Sequence, residues 1–175
     1  MDLRGWNLTI LVAIGVLWLA GGVQREKPLL ADEPDRLSLR ALESNVALHP
    51  GDAALRRALA QSYLDARAPG LALRTIEVAS RELRADPELE HVYARALLEQ
   101  GRSADALAAE RQVLEACDRG LSAAQGAASI CASASRRAAI LQELVALGVE
   151  DAPAHPEASA VAYHNATREV RLALQ

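Results

Sequence analysis

The chain has 175 residues, half of them apolar, with 3% aromatics, no phenylalanine and a formal net charge of −4. That suffices for one domain with its own core and is too short for two large ones. No basic patch with interleaved aromatics is present, which argues against a nucleic-acid binder. Alanine, leucine and arginine, all strong helix formers, dominate and point to an all-α fold.

The first predicted element is hydrophobic. Leu8 to Val23 runs without a charge (LTILVAIGVLWLAGGV), after Trp6 and before Gln24-Arg25-Glu26-Lys27. As a helix it would be roughly 24 Å long, slightly short of a bilayer core of about 30 Å, and Trp6 can extend it into the interface. Leu8, Ile10, Leu11, Val12, Ile14, Val16, Leu17, Trp18 and Leu19 form the expected membrane anchor, residues 1–23. A cleaved signal peptide competes, since Arg4 gives a weak basic start and Ala20-Gly21-Gly22 a small-residue cleavage site. A buried core helix is disfavoured because the segment has no polar face. The charges flanking the segment are nearly balanced, but its very short N-terminus favours a cytoplasmic start. The expectation is a single-pass protein of a bacterial inner membrane with residues 24–175 in the periplasm. Residues 24–34 (QREKPLLADEP) read as a polar linker.

Beyond the linker the sequence repeats itself. A shift of 34 residues aligns Ala60, Ala94, Ala128 and Ala162 without a gap. The same shift aligns Tyr63 with Leu97 and Cys131, Ala72 with Ala106 and Ile140, Leu73 with Leu107 and Leu141, and Ala79 with Val113 and Leu147. Gly101, within Glu99-Gln100-Gly101-Arg102, is placed to end a helix in the left-handed conformation. Asp86 is a natural cap for a helix beginning at Pro87. On these residues the chain resembles the tetratricopeptide repeat family. Ala60, Tyr63, Ala72 and Ala79 match one repeat; Ala94, Leu97, Gly101, Ala106 and Val113 match the next. Pro50 matches the proline that would close a half-repeat over Asp35 to Leu48.

The third copy is degenerate. Its first helix is predicted over Ser122 to Ala134, weakened by Gly126 and several serines, and its second over Arg136 to Leu147. A turn-rich stretch follows, then a last helix over Glu157 to Leu174. The resemblance implies a right-handed solenoid of antiparallel helix pairs over 35–151, with 152–175 supplying a turn and a C-terminal capping helix. The chain departs from the family in lacking its usual tryptophan and in the serine-rich start of the third copy.

The resemblance also implies a protein-binding role. In that family the first helices line a groove that holds a partner peptide or helix. The matching positions are Arg57, Gln61, Leu64 and Asp65, then Glu88, His91, Arg95, Leu98 and Glu99, then Gln125, Ser129 and Ser133. Arg57, Gln61, Asp65, His91, Arg95 and Glu99 are the expected polar centre of that groove. An ordinary solvated helix face is the plain alternative. The leading expectation is a membrane-tethered adaptor or scaffold for partner proteins. Its rival is an accessory structural subunit of a bacterial membrane complex, held by its transmembrane helix. No enzyme, cofactor, metal or small-molecule substrate is expected. His49, His91, His155 and His164 are scattered, and no P-loop, Rossmann glycine set or nucleophile elbow is present.

Cys117 and Cys131 are the only cysteines. An outside-facing domain permits a bridge between them. The repeat register opposes it by placing Cys131 roughly 13 Å up the next helix, whereas a disulfide needs Cα atoms within about 7 Å. The expectation is a bridge with the third repeat's first helix shortened; two buried thiols are the alternative.

Overall fold

A computed structural model describes residues 33–120 and 127–173. The chain divides into two compact units, Met1–Arg36 and Leu37–Gln175. The first lies almost wholly outside the described residues, and with it the expected anchor from Leu8 to Leu19 and most of the 24–34 linker. Among the described residues the fold is all-α. In chain order the helices are α1 (Glu33–Leu48), α2 (Ala53–Asp65), α3 (Pro69–Glu77), α4 (Arg81–Arg84), α5 (Pro87–Glu99), α6 (Ser103–Asp118), α7 (Ala127–Ala146) and α8 (Pro156–Ala173). No described helix is long and apolar enough to cross a membrane.

Local chemistry sets the helix ends. The Asp52 carboxylate accepts from the Leu55 N–H at 3.0 Å and opens α2. Asp86 accepts from the Glu88 N–H at 3.1 Å and opens α5, with Pro87 in the first turn. Both bonds satisfy donors that a helix start leaves without partners. Three C-termini close alike, on a residue of positive φ: Arg67 at 59°, Gly101 at 74° and Gly148 at 71°. In each, that residue's N–H bonds the carbonyl three back (Leu64, Leu98, Val145). The next N–H bonds the carbonyl five back (Tyr63, Leu97, Leu144). Arg67 and Gly101 stand 34 residues apart, as the sequence shift predicts.

Packing runs from each hairpin to its successor. Helix α2 pairs with α3, both touch α5, α5 pairs with α6, both touch α7, and α7 pairs with α8. Alanines at the crossings, Ala60, Ala72, Ala94, Ala106 and Ala162, are fully buried and let the backbones approach closely. Leu64, Ile76, Leu89, Leu97, Val113, Leu141 and Leu144 fill the space between them. Turns also meet turns. The N–H and Oγ of Ser103 both donate to the Glu150 carbonyl, at 3.2 and 2.6 Å, and Gly101 lies against Asp151 where a Cβ would come within 3.0 Å.

The third copy departs from the expected register. Of the two helices predicted over Ser122 to Ala134 and Arg136 to Leu147, residues 122–126 lie outside the described residues, and Ala127–Ala146 is one continuous helix, α7. No glycine or proline interrupts 127–146, so serine alone does not stop the helix there. Gly148 accordingly follows Gly101 by 47 residues instead of 34. Ala128, aligned with buried Ala94, is exposed, as is Leu147, while Ala134, Ala138 and Leu141 enter the core. Helix α8 starts at Pro156 and docks on α7 through Ala162 and Ala166, with Asn165 Nδ2 donating to Glu143 Oε2 at 3.0 Å.

Candidate functional site

Side chains at i, i+4 spacing on α2 and α5 share one helix face. There Arg57 pairs with Glu88, Gln61 Nε2 donates to Asp65 Oδ1 at 2.9 Å, and Arg95 Nε donates to Glu99 Oε1 at 3.0 Å. Arg95 Nη2 also reaches across to Asp65 at 3.6 Å. Five of the six predicted groove residues, Arg57, Gln61, Asp65, Arg95 and Glu99, thus lie in one ladder across two helices. Beside it, burial raises the Asp86 carboxyl above its ordinary range and the nearby Arg57 charge opposes the shift. Arg57 and Arg95 each remain 35% exposed, so these pairs are worth about 0–1 kcal/mol apiece.

The sixth residue is elsewhere. His91 turns away from the ladder into the junction of α5, α6 and α7, where its side chain is 15% exposed. Leu64, expected on the same wall, is core at 1% exposure, and Leu98 packs against the core. The side chain at 64 lies on the stripe that faces α5, because α2 packs there as well as on α3. Ser133 hydrogen-bonds His91, Ser129 is exposed, and Gln125 lies outside the described residues.

His91 belongs to a buried polar cluster that sequence reasoning missed. Glu110 is fully buried; its Oε2 lies 2.8 Å from His91 Nδ1 and its Oε1 accepts from Arg137 Nη1 at 2.7 Å. Arg137 Nη1 also donates to the His91 carbonyl at 3.1 Å and stands 3.3 Å from Nδ1. His91 Nε2 is 3.1 Å from Ser133 Oγ. A neutral imidazole with its proton on Nδ1 satisfies the set, donating to Glu110 and accepting from Ser133. Serine, histidine and carboxylate are connected as in a hydrolytic relay. However, Glu110 is shared between His91 and Arg137 through its two oxygens. Ser133 also sits inside α7, where backbone N–H groups are committed to the helix. The chemistry this arrangement performs best is compensation of a buried carboxylate. Its signal was readable, since Glu110 interrupts the apolar stripe Ala106, Leu107, Val113, but Arg137 as its partner was not.

A second buried charge follows the same pattern. Arg56 lies on the core stripe with Leu59 and Ala60, and donates from Nη1 to the Thr75 carbonyl at 2.8 Å and from Nη2 to the Pro50 carbonyl at 3.0 Å. It ties the α1–α2 turn to α3.

Cys117 and Cys131 are bridged, with Cα atoms 6.0 Å apart. The distance expected from the repeat register does not apply, because α7 does not follow that register. The bridge joins the end of α6 to the second turn of α7, two residues before Ser133. Among the described residues no group of three or more histidine, cysteine or acidic side chains could hold a metal ion. Comparison of the chain with protein-family models, with curated proteins and with solved structures finds no match.

Proposed function

We propose that this chain is a tetratricopeptide-like scaffold, a membrane-tethered and non-catalytic adaptor that gathers partner proteins on the α2–α5 face. The observation that carries this reading is the recurrence of one helix-end geometry at Arg67 and Gly101, 34 residues apart, in hairpins that pack in series. Serial packing leaves one helix of each pair free to line a wall, with α8 packed on α7 at the end of the series. The Arg57, Gln61, Asp65, Arg95, Glu99 ladder suits such a wall, because weak exposed ion pairs can be exchanged for pairs with a partner at little cost. A bridged Cys117–Cys131 suits an oxidising compartment, which supports the periplasmic side for this domain. The anchor rests on the uncharged run from Leu8 to Val23.

The test is crosslinking in native membranes, with recovered partners compared between the wild type and Arg57→Glu/Arg95→Glu. Loss of specific partners with an unchanged circular dichroism spectrum is expected. Unchanged capture by a folded variant removes the α2–α5 face from the reading. Recovery of one large complex at fixed stoichiometry, unaffected by the substitutions, would instead favour an accessory structural subunit.

A further inference from the structure

Helix α5 carries a second polar stripe, Glu90 and Tyr93, about half a turn away from Glu88, Arg95 and Glu99. That stripe faces a gap with a definite origin. Helix α6 runs unbroken for 16 residues, whereas its counterpart in the preceding hairpin stops at Glu77 and resumes as the single turn α4. Val78 ends α3, and Ser80 restarts the chain by accepting weakly from the Leu83 N–H at 3.4 Å. The interruption leaves a cavity of about 440 Å³ whose polar lining is Glu77, Arg81, Arg84, Glu90, Tyr93 and Gln112. The volume falls in the range of about 300–1,000 Å³ usual for ligand sites.

These six differ from the α2–α5 ladder in one respect. With no described residue does any of their side chains make a hydrogen bond or a contact ion pair. Of their four charges only that of Glu90 lies below the surface; Glu77, Arg81 and Arg84 are exposed. Glu90 is partly buried, and its carboxyl is raised above the ordinary range by that burial and then by the charge of Glu110, with Arg84 only partly offsetting them. The Tyr93 phenol is raised chiefly by burial, then by the charge of Glu77, with Arg102 partly offsetting them and Glu90 adding a smaller push. Glu90 and the Tyr93 ring are therefore the half-buried part of the lining, while Glu77, Arg81 and Arg84 are exposed at the mouth. A half-buried carboxylate beside a half-buried aromatic ring suits a guanidinium or ammonium, through an ion pair and a cation–π contact together. A cationic mouth suits a carboxylate.

We infer that this cavity receives a basic side chain, arginine in particular, from a partner polypeptide whose neighbouring acidic residue meets Arg81 and Arg84. The inference rests on the scaffold reading only in taking a polypeptide as the occupant. Glu77 and Glu90 would repel a phosphate backbone.

The test uses the full-length ¹⁵N-labelled protein and the blocked pentapeptide acetyl-Gly-Ala-Arg-Glu-Gly-amide, titrated by NMR. Amide shifts should concentrate at Glu90, Tyr93 and Gln112. Replacing the peptide arginine by norleucine should weaken binding at least about tenfold, and Glu90→Gln in the protein should do the same. Glu157→Gln, an exposed acid on α8 away from the lining, should leave the affinity unchanged. Equal binding of the arginine and norleucine peptides overturns the proposal. So does the absence of Glu90-dependent shifts at peptide concentrations of about 10 mM, the weak end of specific recognition. Shifts clustered on Arg57 and Arg95 would overturn the cavity assignment and leave the scaffold reading standing. Loss of partner capture by Arg57→Glu/Arg95→Glu would still report on that reading alone.

Discussion

Arg137 Nη1 lies 2.7 Å from Glu110 Oε1, across the contact between α6 and α7, and Glu110 is fully buried there. The pair is the polar centre of the junction of three helices. Removing one partner leaves a charge in a low-dielectric site, while removing both removes the problem. Arg137→Met is therefore expected to destabilise by about 3–5 kcal/mol. Arg137→Met with Glu110→Leu should recover most of that loss. Urea denaturation of the two variants checks the prediction, and equal destabilisation by both would contradict it.

The two helix ends at Arg67 and Gly101 predict changes of opposite sign. Gly101 has a φ of 74°, and an added Cβ would approach the Asp151 side chain at 3.0 Å. Gly101→Ala should lower stability by about 1–2 kcal/mol, the usual cost of a left-handed side-chain residue. Arg67 already bears that cost at a φ of 59°. Arg67→Gly should raise stability by up to about 1 kcal/mol, less whatever the freer unfolded chain takes back. Thermal melts of both variants read the signs directly.

Tyr63 gives the protein an alkaline limit. Its hydroxyl donates to Glu43 Oε1 at 2.6 Å, and burial, this bond and the Glu43 charge push the phenol up to about 12. The folded state holds the proton more tightly than the unfolded state, whose phenol titrates near 10. This contribution is complete below about pH 10 and is lost as the pH rises towards 12. Melting temperature should fall across that window in the wild type, and less steeply in Tyr63→Phe.

Glu90 has the opposite practical consequence near neutrality. Its raised carboxyl means that ionisation works against the folded state, first through burial and then through Glu110. A raised folded value contributes stability that is complete below the ordinary glutamate range of about 4.3 and is lost as the pH rises through the folded value. Glu90→Gln, which cannot ionise, should therefore be more stable than the wild type at pH 7, with the advantage shrinking towards pH 4. Calorimetry at the two pH values checks it. An advantage that grows on acidification would contradict the sign.

Reduction of the Cys117–Cys131 bridge should act locally and on global stability. The two cysteines are 14 residues apart, and a loop of this size is worth about 3 kcal/mol in the chain-entropy treatment. The bridge also holds the start of α7, so hydrogen exchange over 127–135 should accelerate on reduction, with α2 and α3 unaffected. Mass spectrometry without reductant supplies the prior check; two free thiols in protein from its native host would remove the bridge.

Much of the helical architecture was legible from residue order. The stripes through Ala60 and Leu64, Ala94 and Leu97, and Ala106 and Val113 follow helical spacing, and Asp86 and Gly101 mark ends through chemistry confined to a few neighbouring residues. Such signals are local, so composition and periodicity carry them. The run from Ser122 to Leu147 was misread because a repeat alignment assumed a break where no breaker residue stands. The partner of Glu110, the partition of α5 into a paired face and an unpaired cavity, and the approach of Cys131 to Cys117 all depend on which helices become neighbours. That choice is made by packing between segments far apart in the chain, and an offset of 34 that becomes 47 is enough to change it.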